Sequence, residues 1–280
     1  MILIADSGAT KTDWVIIEEG HETHLAQTNG LNPYFIDLQG IEDELQKNLY
    51  PHLENKHVKE VHFYGAGCAN LQNRDIVRIA MEDFFVNAAI YIEHDLLGAA
   101  RALLGHTEGI AGILGTGSNS CYYDGKKIVQ NVPSLGYVLA DEGSGAYMGR
   151  LLIRDYFFGK LPPKIEKAFD QKYGFSLDNI LNAIYNEKWP NQYLAAFTFF
   201  LSEHERSTHI HKLVNSAFSS FFKYQISQYS RYQEIPFSAT GSIAYYFKDI
   251  LSEVAEKYGV KLGKITQSPL KGLISYHSKR

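Results

Sequence analysis

Two glycine-bearing turns carry much of the residue chemistry in this chain. The first, Asp6-Ser7-Gly8-Ala9-Thr10-Lys11-Thr12, follows the apolar run Met1 to Ala5; the second, Gly115-Thr116-Gly117-Ser118-Asn119, follows Gly109 to Leu114. Each leads into a second strand-like stretch, Asp13 to Ile17 and Ser120 to Tyr123, so each reads as a hairpin. Glycines there let several backbone N–H groups converge on an anion with no side chain intervening. The result is a phosphate cradle made twice. Asp6 suits a hydrated magnesium ion, which takes carboxylate oxygen and keeps its waters. Either hairpin alone reads more readily as a plain turn; the pair in one chain is what points to phosphate. The patterns GxxxxGK followed by Ser or Thr, and GxGxxG, are both absent, which leaves P-loop and Rossmann sites unsupported.

Two further carboxylates stand where ligands gather. Asp95 falls at the predicted carboxyl end of a strand, Ala88 to Ile92, and before a helix from Leu96 to Leu104. Open α/β sheets place ligand contacts there, and Asp is also a good helix N-cap; the two roles are compatible. Asp141, in Leu139-Ala140-Asp141-Glu142-Gly143-Ser144-Gly145, either holds a polar ligand or opens the helix that follows. Asn32, in Asn29-Gly30-Leu31-Asn32-Pro33, either reads a ligand or favours the turn before proline.

The elements that position these residues alternate. His21 to Thr28 supplies a third strand, Tyr34 to Leu49 has apolar residues at helical spacing, Glu60 to Tyr64 is a strand ending in Gly65-Ala66-Gly67, and Asn73 to Phe85 is helical. That order favours parallel strands. After the second hairpin the chain is richer in helix, from Ser144 to Phe158 and over much of Pro190 to Tyr232, before a late strand Ile235 to Ala239 and a helix through Tyr258.

Composition sets outer bounds. At 280 residues the chain exceeds one ordinary core, so two domains are expected. Apolar residues are 45% and charged residues 21%, the mix of a globular protein. A net charge of -4 without clustered Lys or Arg excludes a nucleic-acid footprint. The start of the chain lacks a signal-peptide pattern and the apolar runs are too short to span a bilayer, so the expectation is a cytoplasmic protein with no membrane partner. Cys68 and Cys121 have no CxxC spacing and are expected as reduced thiols. His204, His209 and His211 read as a solvated helix face rather than a metal site, and the aromatics around Phe197 to Phe200 and Phe218 to Phe222 as core.

Four segments together resemble the N-acetylglucosamine kinases and the related activator ATPases of the actin, hexokinase and Hsp70 superfamily, from end to end. Asp6 to Trp14 looks like that family's first phosphate hairpin and Leu114 to Asn119 like its second; Leu139 to Gly145 resembles its sugar-site motif, and Ala239-Thr240-Gly241-Ser242-Ile243-Ala244 its adenosine motif. The resemblance implies two actin-like, ribonuclease H-like α/β domains with mixed five-stranded sheets and a nucleotide cleft between them. The first covers 1–105, joined by a last helix over about 269–280, and the second covers 106–268 with a helical insertion. It implies ATP and Mg2+, with Asp6 at the metal and Ser7, Gly8, Thr10, Lys11, Thr12, Gly115, Thr116, Gly117, Ser118, Gly241 and Ser242 at the nucleotide. Asp95 would take the proton from a sugar's 6-hydroxyl, and Asn32, Gly67, Asn119 and Asp141 would hold the sugar, most simply N-acetylglucosamine, in an enzyme that can be a homodimer. Pro133-Ser134-Leu135-Gly136-Tyr137 departs from the family's glycine and tryptophan rich stretch, which leaves N-acetylmuramic acid open as substrate. Gly98, Ala99 and Ala100 suit a close-packed hinge helix. An activator ATPase with a shared iron-sulfur cluster would need thiolates from Cys68 and Cys121; a silent sugar-binding regulator would not need all three of Asp6, Asp95 and Asp141.

Overall fold

The computed structural model describes residues 1–8, 10–18, 20–53 and 56–278. The chain divides into two units, one formed by Met1–His106 with Pro269–Arg280 and the other by Thr107–Ser268. The expected final helix runs over Leu270–Ser278, and the last two positions of its predicted span lie outside the described residues, as does Ala9 of the first hairpin.

The first unit is built on a sheet of five strands: β1 (Ile2–Ser7), β2 (Lys11–Glu18), β3 (His21–Asn29), β4 (Glu60–Gly65) and β5 (Ala89–His94), in the order β3-β2-β1-β4-β5. The β1/β2 and β2/β3 pairs are antiparallel; β1/β4 and β4/β5 are parallel. Strand period explains its two-sided core. Leu3, Ala5, Trp14 and Ile16 point into one cluster with Ile41, Val77 and Met81 of the helices Leu38–Glu44 and Leu71–Phe84, whereas Ile4, Val15 and Ile17 point into another with Ala102, Leu273 and Ile274. Each such side chain contributes roughly 1.5–3 kcal/mol by burial. The helix Asp95–Leu104 reaches the sheet through Gly98, where an added Cβ would lie 2.8 Å from the Tyr64 ring.

The second unit repeats the plan. Strands β6 (Gly109–Leu114), β7 (Ser118–Tyr123), β8 (Ile128–Asn131), β9 (Phe237–Thr240) and β10 (Leu262–Thr266) lie in the order β10-β9-β6-β7-β8. The β6/β7 and β7/β8 pairs are antiparallel, and β6/β9 and β9/β10 are parallel. The expected pair of mixed five-stranded sheets is therefore present. Between β8 and β9 run the helices that carry the aromatic core, including Phe169, Phe197, Phe200, Phe218, Phe221 and Phe222; of the two aromatic stretches expected as core, Phe199 departs, lying 68% exposed.

Several element bounds differ from the sequence reading. The helix expected from Tyr34 starts at Leu38, because Asp37 accepts the Gly40 N–H at 2.9 Å as its N-cap, and it passes into a π-helical stretch, Leu45–Leu49. The helix expected from Asn73 starts at Leu71, capped by Asn70. The stretch from Pro190 to Tyr232 is broken into Pro190–Ala196, Thr198–Glu203 and Thr208–Tyr224.

Candidate active site

Register brings the first unit's candidate residues to one edge of the sheet. Ser7 pairs with Gly65 and Gly65 with His94, so the carboxyl ends of β1, β4 and β5 finish in line, presenting Asp6 to Gly8, Ala66 and Gly67, and Asp95 side by side. The hairpin is closed by Gly8 N–H donating to Lys11 O at 2.9 Å. Ser7 is buried, its Oγ 2.8 Å from the Thr12 hydroxyl and accepting the Leu31 N–H at 3.1 Å, which ties the hairpin to the Asn32 turn. Thr10 O accepts from Gly30 N at 3.1 Å. Gly8, Thr10 and Lys11 are exposed at the tip, with Lys11 Nζ 2.9 Å from Asp13.

Asp6 stands directly opposite Asp13 across the β1/β2 pair. Burial, then the negative charges of Asp13 and Asp95, push the Asp6 carboxyl up to about 7, against a smaller opposing pull from Lys11. Burial also raises Asp13, but hydrogen bonds from Gln27 and Lys11 and the Lys11 charge bring it below the ordinary carboxylate value. Asp95 is raised by burial, partly offset by the Leu96 N–H that its Oδ1 accepts at 2.8 Å. Asp95 is thus the first helical residue, with His94 at the N-cap position. Before it, His94 is pushed down to about 4 by burial and by the charges of Arg74 and Arg101.

Asn32 and Gly67 meet. Asn32 is buried, its Oδ1 accepting the Tyr34 N–H at 3.0 Å, and a Cβ on Gly67, at φ +82°, would lie 2.1 Å from that oxygen.

In the second unit, Gly115 N–H donates to Gly117 O at 3.0 Å, while Gly145 and Ala146 N–H groups donate to Gly115 O and Thr116 O at 2.8 and 3.1 Å. The loop is thereby seated on the first turn of the helix Gly145–Phe157. Asp141 lies over it: a Cβ on Gly117 would fall 2.9 Å from Asp141 Oδ2. Asp141 does not open the helix; Ser144 does, accepting the Tyr147 N–H at 3.1 Å. Instead Asp141 sits at φ +62°, a left-handed conformation that L-residues occupy at some cost. Burial raises its carboxyl, as does the Glu142 charge, and the Ser118 N–H and Ser134 hydroxyl pull it back. Asn119 Oδ1 accepts from Ser120 N at 2.9 Å and Asn131 Nδ2 at 3.0 Å. Gly241, at φ +120°, brings its backbone so close that a Cβ would be 2.2 Å from Leu114 O. Ser242 follows it, exposed, at the start of the helix Ser242–Tyr246.

The donor sets fit the groups expected of them. Three carboxylates share one field in the first unit, a repulsion that a divalent cation at Asp6 would relieve. In the second, Ser118 Oγ is buried and, among the described residues, has no hydrogen-bond partner. Sequence reasoning passed over Asp13 and Ser134. Asp13 was legible, since a hairpin pairing Ser7 with Thr12 pairs Asp6 with Asp13; Ser134 needed the tertiary fold. The histidine reading requires correction: the three do not share a solvated face. His204 packs on Phe200, His209 bonds Asp155 at 3.1 Å and His211 pairs with Glu253, carboxylates supplied by distant elements. Among the described residues no His, Cys, Asp and Glu group has the makings of a metal site of three ligands.

No family model and no curated protein matches the chain. Solved structures do. A protein from Porphyromonas gingivalis, provisionally named an N-acetylglucosamine kinase, is 41% identical over 100% of this chain and 99% of its own, with a TM-score of 0.96. A second provisionally named N-acetylglucosamine kinase, from Chromobacterium violaceum, is 16% identical over 98% of each chain with a TM-score of 0.75. A ROK family glucokinase from Streptomyces griseus, solved with glucose and AMPPNP, is 15% identical over 98% of this chain and 97% of its own, with a TM-score of 0.56. The last two share the fold.

Proposed function

This chain belongs to the N-acetylglucosamine kinase-like family of the actin-like fold, and we propose that it is an ATP-dependent sugar kinase acting on the 6-hydroxyl of an N-acetylated amino sugar, N-acetylglucosamine first. The observation that carries this is the line of strand ends in the first unit: Asp6, the Asn32–Gly67 pair and Asp95 stand on one sheet edge. Phosphoryl transfer asks a protein mainly for alignment and charge neutralisation. Asp95 accepts the hydroxyl proton; its burial-raised pKa brings a carboxylate closer to the range in which a general base works at neutral pH. Asn32, Gly67, Asn119 and Asp141 hold the sugar, the Asp141 carboxylate accepting from its hydroxyls. The hairpins with Ser7, Gly8, Thr10, Lys11 and Thr12, and with Gly115, Thr116, Gly117 and Ser118, receive phosphate oxygens, and Gly241 and Ser242 receive the nucleoside. Asp6 would hold a Mg2+ ion, which when bound would neutralise phosphate charge.

The activator reading is disfavoured by both cysteines: each is buried, and burial with the nearby Asp95 charge pushes Cys68 up to about 12, so its thiolate is hard to form. The test is ADP release with ATP and Mg2+ in the presence of N-acetylglucosamine, N-acetylmuramic acid, glucose or no sugar. Release only with N-acetylglucosamine supports the reading; a preference for N-acetylmuramic acid replaces the substrate, and release independent of sugar sinks the kinase.

A further inference from the structure

The helix Leu71–Phe84 begins where the Gly67 loop ends, and its first turn grips that loop. Asn73 Nδ2 donates to Gly67 O at 2.8 Å, and Arg74 Nε donates to Cys68 O at 2.7 Å. Arg74 also reaches across: its Nη1 lies 3.4 Å from Glu93 Oε2, two residues before Asp95 on the strand that presents the carboxylate. The backbone holds the loop at its start, where Ala66 N–H donates to Ser7 O at 2.8 Å, and more loosely beyond, with a Cys68 N–H to Gly65 O bond of 3.3 Å and Gly67 at φ +82°. A single guanidinium therefore touches both the loop that faces Asn32 and the strand end that carries Asp95.

We infer that Arg74 is a positioning residue that fixes the sugar-facing Gly67 loop relative to Asp95. The inference rests on the kinase roles proposed above for Gly67 and Asp95. Arginine is required because two donors must leave one planar group in fixed directions, one towards a carbonyl and one towards a carboxylate; an ammonium on a flexible stem does not hold both. Arg74 does not touch the hairpin at Ser7 to Thr12, and the loop's own bond to that hairpin, Ala66 N–H to Ser7 O at 2.8 Å, is made without it, so loosening Arg74 acts on the sugar and spares the nucleotide.

The experiment compares Arg74→Ala, Arg74→Lys and Glu93→Gln with the wild type, by steady-state kinetics with N-acetylglucosamine and by amide hydrogen exchange. Arg74→Ala is expected to lower kcat/KM for the sugar about 10- to 100-fold, the scale of a misplaced reactant, with the KM for ATP unchanged. Arg74→Lys stays low, Glu93→Gln falls less because the Cys68 carbonyl bond remains, and added guanidinium ion restores part of the Arg74→Ala loss. Exchange rises over 65–70 and 93–96 but not over 7–12. An active wild type whose Arg74 variants keep their sugar kcat/KM, or lose sugar and ATP affinity together, overturns the inference. A wild type inert towards every sugar removes the kinase reading instead; exchange then decides the coupling, unchanged rates at both segments overturning it and faster rates upholding it.

Discussion

Replacing Asp6 by Asn should make the protein more stable at pH 8 while abolishing turnover. The Asp6 carboxyl is raised from 3.8 to about 7 by burial and by the charges of Asp13 and Asp95, so the folded state holds its proton more tightly than the unfolded chain. The associated stability is fully present below pH 3.8 and is lost as the pH rises through about 7. Three units at about 1.4 kcal/mol each set an upper figure of ~4 kcal/mol; because Asp95 shares the same field, roughly 2–3 kcal/mol is expected. At about 2–4 °C per kcal/mol for a chain of this size, the Asn variant should melt roughly 5–10 °C higher at pH 8. The gap should close towards pH 4. Melting curves of the nucleotide-free proteins from pH 4 to 8 read this directly, and Mg2+ with ATP should stabilise only the wild type at pH 8. Parallel curves, or an Asn variant that melts lower at pH 8, would refute the argument that like charges and burial set this carboxyl.

Asp95→Asn keeps the size of the side chain and should lower kcat by about 10²–10⁴-fold with ATP binding retained, checked by turnover and nucleotide titration. Gly67→Ala places a methyl 2.1 Å from Asn32 Oδ1 at φ +82°; a loss of about 1–2 kcal/mol in stability and a raised KM for the sugar should follow, and normal sugar KM would detach this pair from the substrate. Asp141→Asn should preserve the fold, since Asn tolerates the left-handed backbone at φ +62°, but raise the sugar KM about 10-fold through loss of charge-assisted bonds; circular dichroism and kinetics separate the two effects.

The hairpins were readable because glycine turns divide apolar runs whose period feeds two buried faces, as Leu3, Ile4 and Ala5 illustrate. The edge strands β8 and β10 were not, since Ile128–Asn131 and Leu262–Thr266 are mostly exposed or half-buried and carry little apolar alternation. Helices inside the second unit had local signals that went unused: Ser176 and Asn179 form a capping box opening Leu177–Tyr185, and Pro163 opens Pro163–Tyr173. At the site, residue types and strand ends were legible, whereas partners that come from far along the chain were not. Ser134 reaches Asp141 only through the loop after β8, and Arg74 reaches Glu93 only because β4 and β5 pair in register.

The same five-strand plan occurs twice, yet the two sets of strand ends carry different chemistry. In the first unit the strand ends gather Asp6 and Asp95, with Asp13 opposite, and an exposed Lys11 as the counter-charge. In the second the corresponding ends gather Thr116, Ser118 and Thr240, with one carboxylate, Asp141, so near that a Cβ on Gly117 would fall 2.9 Å from its Oδ2. Several carboxylates in one field suit a divalent cation; a hydroxyl-lined loop with a single carboxylate suits a polar ligand that both donates and accepts hydrogen bonds. One strand order thus carries an acid-rich set of strand ends in one unit and a hydroxyl-rich set in the other without any change in topology.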